Sequence, residues 1–170
     1  MPKAVALDRN NASTARLPSP RVRRLPANLQ QSRDALLAYF RPIFFRHGLT
    51  DPQWRVLRAL SSADVLTATE TARRTFLLKS SLSRIIKDLA ERGLIKVGGA
   101  RADGRQSLLS LAEPGRALIT AIEPELVEVH RKIEAVFGLE RLHLLSALLE
   151  DFSAELEAAL EEPFESIARR

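Results

Sequence analysis

A glycine-rich, charged segment constrains the fold of this chain more than any other feature. The segment, GGARADGRQSLLSL, covers residues 98–111 and includes the alternating run Ser107–Leu111, while the aliphatic run Leu94–Val97 comes directly before it. Both runs have the pattern of short strands, so the residues between them are predicted to form the loop of a hairpin. The surrounding chain has helical periodicity, so this hairpin is expected within a mainly α protein.

The glycine spacing allows one alternative, a phosphate-binding P-loop. Gly99 and Gly104 match its G-x-x-x-x-G spacing, but Arg105 and Gln106 stand where that motif needs Lys and Ser or Thr. A P-loop also needs a following helix whose N-terminal N–H groups bind the phosphates, and a strand is predicted here. These two departures disfavour the P-loop.

Two short helices are predicted immediately before the hairpin. Thr67 and Glu70 have the spacing of a capping box, as do Thr50 and Gln53 at the start of the preceding helix. The helix that Thr67 opens ends near Thr75 or Phe76. After the connector LLK, a second amphipathic helix follows and ends at Gly93. Two short helices across a tight connection are typical of a helix-turn-helix.

The second of these helices has the residues of a DNA-recognition helix on its polar face. Small hydroxyl residues at its start permit close approach to a major groove, and Arg84 can reach guanine edges. The residues of this helix predicted to bind DNA are Lys79, Ser80, Ser81, Ser83, Arg84 and Lys87. An ordinary amphipathic helix with a solvated polar face would have the same pattern.

The charged hairpin that follows such a helix is interpreted as the wing of a winged helix-turn-helix. Arg101 and Arg105 would bind a phosphate backbone or enter a minor groove. Asp103 would order one of these arginines through an ion pair, because an acid facing phosphate is repelled. These three residues complete the predicted DNA-binding set.

The charge distribution supports a polyanionic partner. Residues 73–116 carry ten basic and four acidic residues, whereas residues 117–170 carry five and twelve, and the net charge is +5. Double-stranded DNA is therefore expected to bind the middle of the chain. The chain has no cysteine, which fits the reducing cytoplasm, and no apolar run of about 18 residues that would predict membrane insertion.

The sequence is expected to divide into four parts. Residues 1–26 are predicted to be a disordered basic tail, because they include four prolines and many small polar residues and have no periodicity. This tail would be either a nucleic-acid-binding arm or a merely solvated segment that superficially resembles a transit peptide. Residues 27–48 are predicted as an N-terminal dimerisation helix, kinked or broken before Pro42. The winged helix follows at 49–113, and C-terminal dimerisation helices at 114–164.

The C-terminal helices predict a homodimer. Two apolar stripes, separated by Gly138, follow a winged helix that is already complete, so they have no core of their own to join. Pairing with a second copy would bury them. A helical hairpin within one chain is the alternative.

These segments resemble the MarR family of bacterial winged-helix regulators. The resemblance rests on SSLSRIIKDLAERGLIKV and DGRQSLLSLAEPGRAL, in which Asp103, Arg105, Leu111 and Gly115 match the family's wing pattern. Ala112 departs from it, because a Thr usually follows the Leu. The resemblance implies a homodimer that binds a pseudo-palindromic operator in double-stranded DNA.

A more particular similarity lies in YFRPIFFRHGLTDPQWRVLRAL (39–60), which is similar to MarR-family regulators of homoprotocatechuate degradation and of nicotinate catabolism. It implies a repressor of an aromatic or pyridine acid operon, relieved by a small aromatic carboxylate.

The same segment has the residue types of an aromatic-acid site. Such a ligand needs an apolar slot and one or two cationic donors. The residues predicted to bind it are Phe40, Arg41, His47, Trp54, Arg55 and Arg58. The alternative is that the aromatic residues belong to the core and the arginines to the surface.

An enzyme and a protein-binding module are the two alternative functional classes. An enzyme is disfavoured, because His47, His130 and His143 lack metal-ligand spacing and no nucleophile motif is present. We therefore expect no catalytic residues, no metal and no cofactor. A winged-helix module that binds proteins and not DNA remains the alternative, which the basic middle of the chain disfavours.

Overall fold

The computed structural model describes residues 19–99 and 107–160, and the chain divides into two compact units, residues 1–38 and 39–170. The described part of the first unit is helical. A four-residue helix, α1, covers Pro20–Arg23, and α2 covers Leu25–Arg46, so that its last eight residues belong to the second unit.

The prediction of disorder up to residue 26 is wrong for residues 20–23 and 25–26. The side chain of Ser19 accepts a hydrogen bond from the Val22 amide at 3.4 Å and caps α1. Pro20 and Pro26 lie in the first turns of their helices, where a missing N–H has no cost. The prolines that suggested disorder are thus compatible with helix starts. The prediction for residues 1–18 lies outside the described residues.

Helix α2 continues through Pro42, so the break considered before that residue does not occur. Its end is the one that the sequence predicts. Gly48 has a φ of +65°, and the Leu49 amide donates to the Phe44 carbonyl at 2.8 Å. Glycine adopts this left-handed conformation without strain, and it closes the helix.

The second unit continues with five helices and three strands among its described residues. They are α3 (Asp51–Ser61), β1 (Leu66–Thr67), α4 (Ala68–Thr75), α5 (Lys79–Glu91), β2 (Ile95–Gly98), β3 (Leu108–Leu111), α6 (Glu113–Phe137) and α7 (Leu139–Leu160). Capping boxes at Thr50 and Thr67 open α3 and α4, as predicted.

The strands form one antiparallel sheet in the order β1-β3-β2. In the predicted hairpin, Ile95 lies opposite Leu111 and Gly98 opposite Leu108. The third strand, β1, was not predicted. It contributes only Leu66 and Thr67, and two residues are too few to show an alternating pattern.

The core lies among α3, α5, the sheet and α6. Its fully buried side chains include Val56, Leu57, Leu60, Leu82, Leu89, Leu109 and Ile122. This arrangement, a helix-turn-helix followed by a strand hairpin, confirms the predicted winged helix-turn-helix with flanking helices.

Helix α7 differs from the others in the second unit because none of its residues is buried. Gly138, with a φ of +89°, separates it from α6, as predicted. Its exposed large apolar side chains are Leu139, Leu144, Leu145, Leu148, Leu149, Phe152, Leu156 and Leu160. A helix with so much exposed apolar surface has a face that a partner could cover.

Candidate functional site

The turn between α4 and α5 sets the position of the predicted recognition helix. Helix α4 ends in a left-handed residue, Phe76 (φ 52°), whose amide donates to the Arg73 carbonyl at 3.4 Å. The Leu77 amide donates to the Ala72 carbonyl at 3.2 Å, so the chain reverses immediately after α4. Helix α5 begins at Lys79, three residues after Phe76. A tight connection of this kind is the turn of a helix-turn-helix.

Helix α5 packs through Leu82 and Leu89, which are buried, and presents its polar side to solvent. All six residues predicted to bind DNA from this helix are exposed, namely Lys79, Ser80, Ser81, Ser83, Arg84 and Lys87. The structure therefore brings them together on accessible surface. Among the described residues, Arg84 has no side-chain hydrogen bond or ion pair.

Asp88, one of the two acidic residues of this helix, is held by protein groups. Asp88 accepts a hydrogen bond from Gln53 Nε2 at 2.7 Å and lies 3.5 Å from Arg92 Nη1. Gln53 also accepts from the Thr50 amide at 2.7 Å, so one side chain connects the start of α3 to α5. The contacts partly neutralise a carboxylate that would otherwise repel a nearby phosphate.

The strands place the wing directly after this helix, with Lys96 exposed on β2. The three predicted wing contacts, Arg101, Asp103 and Arg105, lie outside the described residues. The base of the hairpin is anchored, since the Ala112 amide donates to the Leu94 carbonyl at 3.0 Å.

Aromatic side chains line the junction of α2 and α3. The rings of Phe44 and Trp54 stack with centroids 5.4 Å apart, and those of Phe40 and Phe44 with centroids 6.3 Å apart. The ring of His130, on α6, lies 5.4 Å from that of Phe40. Phe44 is buried, so this stack belongs partly to the core.

His47 is engaged by a carboxylate of α6. Its Nε2 lies 2.6 Å from Oε1 of Glu125, whose other oxygen binds the Arg46 guanidinium. The hydrogen bond from His47, and then that from Arg46, holds the pKa of Glu125 below its usual value. The cluster joins the end of α2 to α6.

A separate cavity of about 540 Å³ lies between α3 and the end of α4. Its lining consists of Trp54, Arg55, Arg58, Ala59, Ser61, Ser62, Arg74, Thr75 and Phe76. A volume of this size falls within the usual range for small-molecule sites.

The arginines of this cavity differ in their contacts. Arg55 Nη1 donates to the Thr75 carbonyl at 2.7 Å, and its Nε lies 3.3 Å from Asp51 Oδ2. Arg55 therefore ties α3 to the end of α4. The side chains of Arg58 and Arg74 are exposed and have no hydrogen bond or ion pair to any other described residue.

The structure divides the six residues predicted for the ligand site. Trp54, Arg55 and Arg58 line the cavity, whereas Phe40 packs in the aromatic stack and His47 contacts Glu125. Arg41 is exposed and does not line the cavity.

Sequence reasoning missed Arg74 and Phe76. Both are distant in sequence from the aromatic segment, and only the packing of α4 against α3 brings them to it. The sequence offered one signal, an aromatic residue, Phe76, in the predicted turn of the helix-turn-helix. The structure leaves this residue 85% exposed.

No described helix is long and apolar enough to cross a membrane. Within residues 19–99 and 107–160, no group of three His, Asp or Glu side chains is arranged to hold a metal ion.

The fold and the exposed face of α5 define a winged helix-turn-helix protein, and comparison with known proteins gives its family. The family model described as MarR family matches residues 47–106. The homoprotocatechuate degradative operon repressor of Escherichia coli is 36% identical over 126 residues, which cover 74% of this chain and 85% of that protein. The chain belongs to the MarR family, as its resemblance predicted.

Two other relatives agree with this assignment. The transcriptional regulator FarR of Neisseria gonorrhoeae is 36% identical over 132 residues, covering 78% of this chain and 90% of its own. The crystal structure of NadR in complex with 4-hydroxyphenylacetate is 31% identical, with a TM-score of 0.67, and covers 82% of this chain and 96% of NadR. The curated relatives are transcriptional regulators and not enzymes.

Proposed function

We propose that this protein is a homodimeric repressor that binds a pseudo-palindromic operator and is released by a small aromatic carboxylate. The observation that carries the proposal is the polar face of α5, which is exposed and includes an arginine without a partner among the described residues. In a helix-turn-helix this is the face that enters the major groove. The protein would act in the cytoplasm, where the operator is accessible.

In this proposal, the exposed hydroxyl residues of α5 allow close approach to the bases, and Arg84 reads a guanine edge. Lys79 binds a flanking phosphate. Arg101 and Arg105 of the wing bind the backbone or the minor groove, and Asp103 orders one of them.

The division of the chain follows from the same proposal. The winged helix, residues 49–113, binds DNA, while the N-terminal helix and the two C-terminal helices hold the dimer together. Two-fold symmetry then requires two half-sites about one helical turn, roughly 10 bp, apart.

The DNA proposal is tested with a duplex selected from a random library by the full-length protein. Arg84→Ala is expected to relax base preference at one position of each half-site, because it removes a base contact. Arg101→Ala should weaken binding to all sequences alike and reduce the salt slope by about one, because it removes a phosphate contact. Lys132→Ala, an exposed change on α6, is the control. Binding that does not depend on salt would contradict the proposal and favour a protein-binding module.

The effector proposal is supported by the cavity beside Trp54 and Arg58. These residues provide an aromatic face and a cation, and they lie one helical turn apart on α3. A relative represses homoprotocatechuate degradation, and NadR is known in complex with 4-hydroxyphenylacetate. A ligand in this cavity can lower DNA affinity only if it binds the DNA-free state more tightly.

Thermal-shift screening of aromatic and pyridine carboxylates tests the effector. A ligand that binds the native state must raise the unfolding midpoint. Arg58→Gln should abolish the shift and the accompanying release of DNA, whereas Arg73→Gln, an exposed arginine outside the cavity, should not. If no aromatic acid in the screen stabilises the protein, the effector proposal is wrong.

A further inference from the structure

The cavity between α3 and α4 has two cationic side chains on opposite elements. Arg58 lies on α3 and Arg74 on the last turn of α4, and both line the same cavity. Neither side chain has a hydrogen bond or ion pair to another described residue. Arg55 is different, because its Nη1 donates to the Thr75 carbonyl and its Nε lies at ion-pair distance from Asp51, although that Nε has no hydrogen bond to any described residue. The cavity therefore has two guanidinium groups that are available to a ligand.

The same two elements contribute aromatic rings. Trp54 lines the cavity from α3, and Phe76 lines it directly after α4. Phe76 is 85% exposed, so its ring is covered by little of the protein itself. A planar ligand ring could stack against either face, since aromatic pairs prefer offset or edge-to-face contact within about 4.5–7 Å.

Charge balance then restricts the ligand. A carboxylate can bind one guanidinium through two parallel hydrogen bonds, which leaves the other guanidinium free to bind a second acidic group. A monoacid would leave the second guanidinium without an anion. A ring with two acidic groups would place one anion on each of the two cations.

We infer that the effector is an aromatic dianion, a ring with two acidic groups, of which Arg58 binds one and Arg74 binds the other. The inference deepens the proposed function and rests on it, since it concerns the same cavity. It assigns Arg74 to ligand selection and Arg55 to positioning α4 against α3. Because Arg74 and Phe76 directly precede the connector to α5, the ligand would also contact the segment that orients the recognition helix.

Isothermal titration of the full-length protein tests the inference with defined probes. The monoacids are benzoate and 4-hydroxyphenylacetate, and the diacids are phthalate, isophthalate and terephthalate, which vary the separation of the two carboxylates. We expect at least one diacid to bind about tenfold more tightly than either monoacid, a difference of about 1.4 kcal/mol. In Arg74→Gln this preference should disappear, so that the best diacid and the monoacids bind with affinities within about twofold of each other.

Arg73→Gln is the matched control, because Arg73 is an exposed neighbour that does not line the cavity. It should keep the diacid preference, and unfolding midpoints of both variants without ligand show whether either fold is damaged.

Equal binding of monoacids and diacids by the wild type would overturn the inference but leave the proposed function intact. A diacid preference that persists in Arg74→Gln would also overturn the inference. If that variant bound DNA more weakly, Arg74 would be assigned to the DNA backbone. Absence of binding by all five probes would overturn the inference and count against the proposed effector class itself.

Discussion

Close packing, and not an unusual backbone conformation, requires a glycine at position 115. Gly115 lies in the first turn of α6, where a Cβ would overlap the carbonyl oxygen of Leu94 and approach Cδ1 of Leu111 to 3.0 Å. The same Leu94 carbonyl accepts a hydrogen bond from Ala112, so the backbone cannot move away without losing it. A glycine here lets α6 start directly against the base of the hairpin.

Gly115→Ala is therefore expected to destabilise the protein by about 1–3 kcal/mol, the usual cost of overpacking. The cost should appear although alanine is the better helix former by about 1 kcal/mol. Chemical denaturation measures the free energy of unfolding. Gly99→Ala is the control, because a Cβ there would have no neighbour within 4 Å among the described residues. Equal stability of Gly115→Ala and wild type would show that the helix start can shift at no cost.

Glu125 makes stability depend on pH in the acid range. Hydrogen bonds from His47 and Arg46 lower its pKa in the folded protein, so folding favours the charged carboxylate. A group with a lowered folded pKa stabilises the protein above its unfolded pKa. That contribution is lost as the pH falls through the folded value.

Glu125→Gln should consequently unfold at a lower temperature at neutral pH but lose less stability on acidification. The measurement is the unfolding midpoint between about pH 7 and pH 3. Glu123→Gln is the control, since Glu123 is an exposed acid of the same helix without an ion pair among the described residues. Parallel pH profiles of wild type and Glu125→Gln would contradict this account.

At the scale of elements, the starts of α3 and α4 depend on local sequence, whereas α5 and α6 begin without a side-chain cap. The capping boxes at Thr50 and Thr67 were predicted from residues three positions apart, and both form. Helix α6 begins at Glu113 with Ala112 in the capping position, where no side chain binds the exposed amides. This is the position at which the sequence departs from the family's usual Thr.

Ala112→Ser should stabilise the protein by about 0.5–2 kcal/mol, because a serine oxygen can accept from an amide of the first turn. The backbone of Ala112 (φ −83°, ψ 164°) already has the extended conformation of a capping residue. Ala117→Ser adds the same hydroxyl at an exposed position inside α6 and should be neutral or slightly destabilising. The comparison uses denaturant midpoints. A loss of stability in Ala112→Ser would mean that this buried position excludes the hydroxyl.

The elements missed from the sequence share a physical cause. Strand β1 exists because Leu66 and Thr67 pair with β3, about 40 residues later, so its two residues have no local pattern of their own. Pro20 and Pro26 contributed to the prediction of disorder for residues 1–26, although they occupy the first turns of helices. Local signals such as caps and glycine ends were predictable, whereas features created by pairing or packing were not.

The candidate ligand site follows the same rule. His47 is near Trp54 in sequence, but Glu125 on α6 binds it, while Arg74 reaches the cavity from α4. Proximity along the chain identified Trp54 and Arg58 correctly as cavity residues. It could not identify a wall contributed by another helix. For DNA binding, by contrast, one helix face carries most of the predicted contacts, and the 3.6-residue period makes such a face readable from sequence.

At the scale of the whole molecule, the apolar surface of α7 requires an explanation. Leu144, Leu148 and Leu156 are 62%, 57% and 49% exposed, and they lie on one side of the helix with Phe152. A monomer would leave this stripe in water, which favours its burial between two copies. The proposed spacing of the recognition helices depends on the same contact.

Leu148→Glu should therefore convert the dimer to a monomer, because it places a charge in the centre of the stripe, where burial without a partner is costly. Light scattering after size exclusion gives the mass, and Ala154→Glu, the same charge on the opposite side of α7, is the control. The affinity of Leu148→Glu for a single half-site should persist. Its affinity for the complete operator should fall, because a dimer that binds two half-sites gains about 10²–10⁴ in affinity from the tethered second contact. A variant that remains dimeric with unchanged operator affinity would place the subunit contact elsewhere.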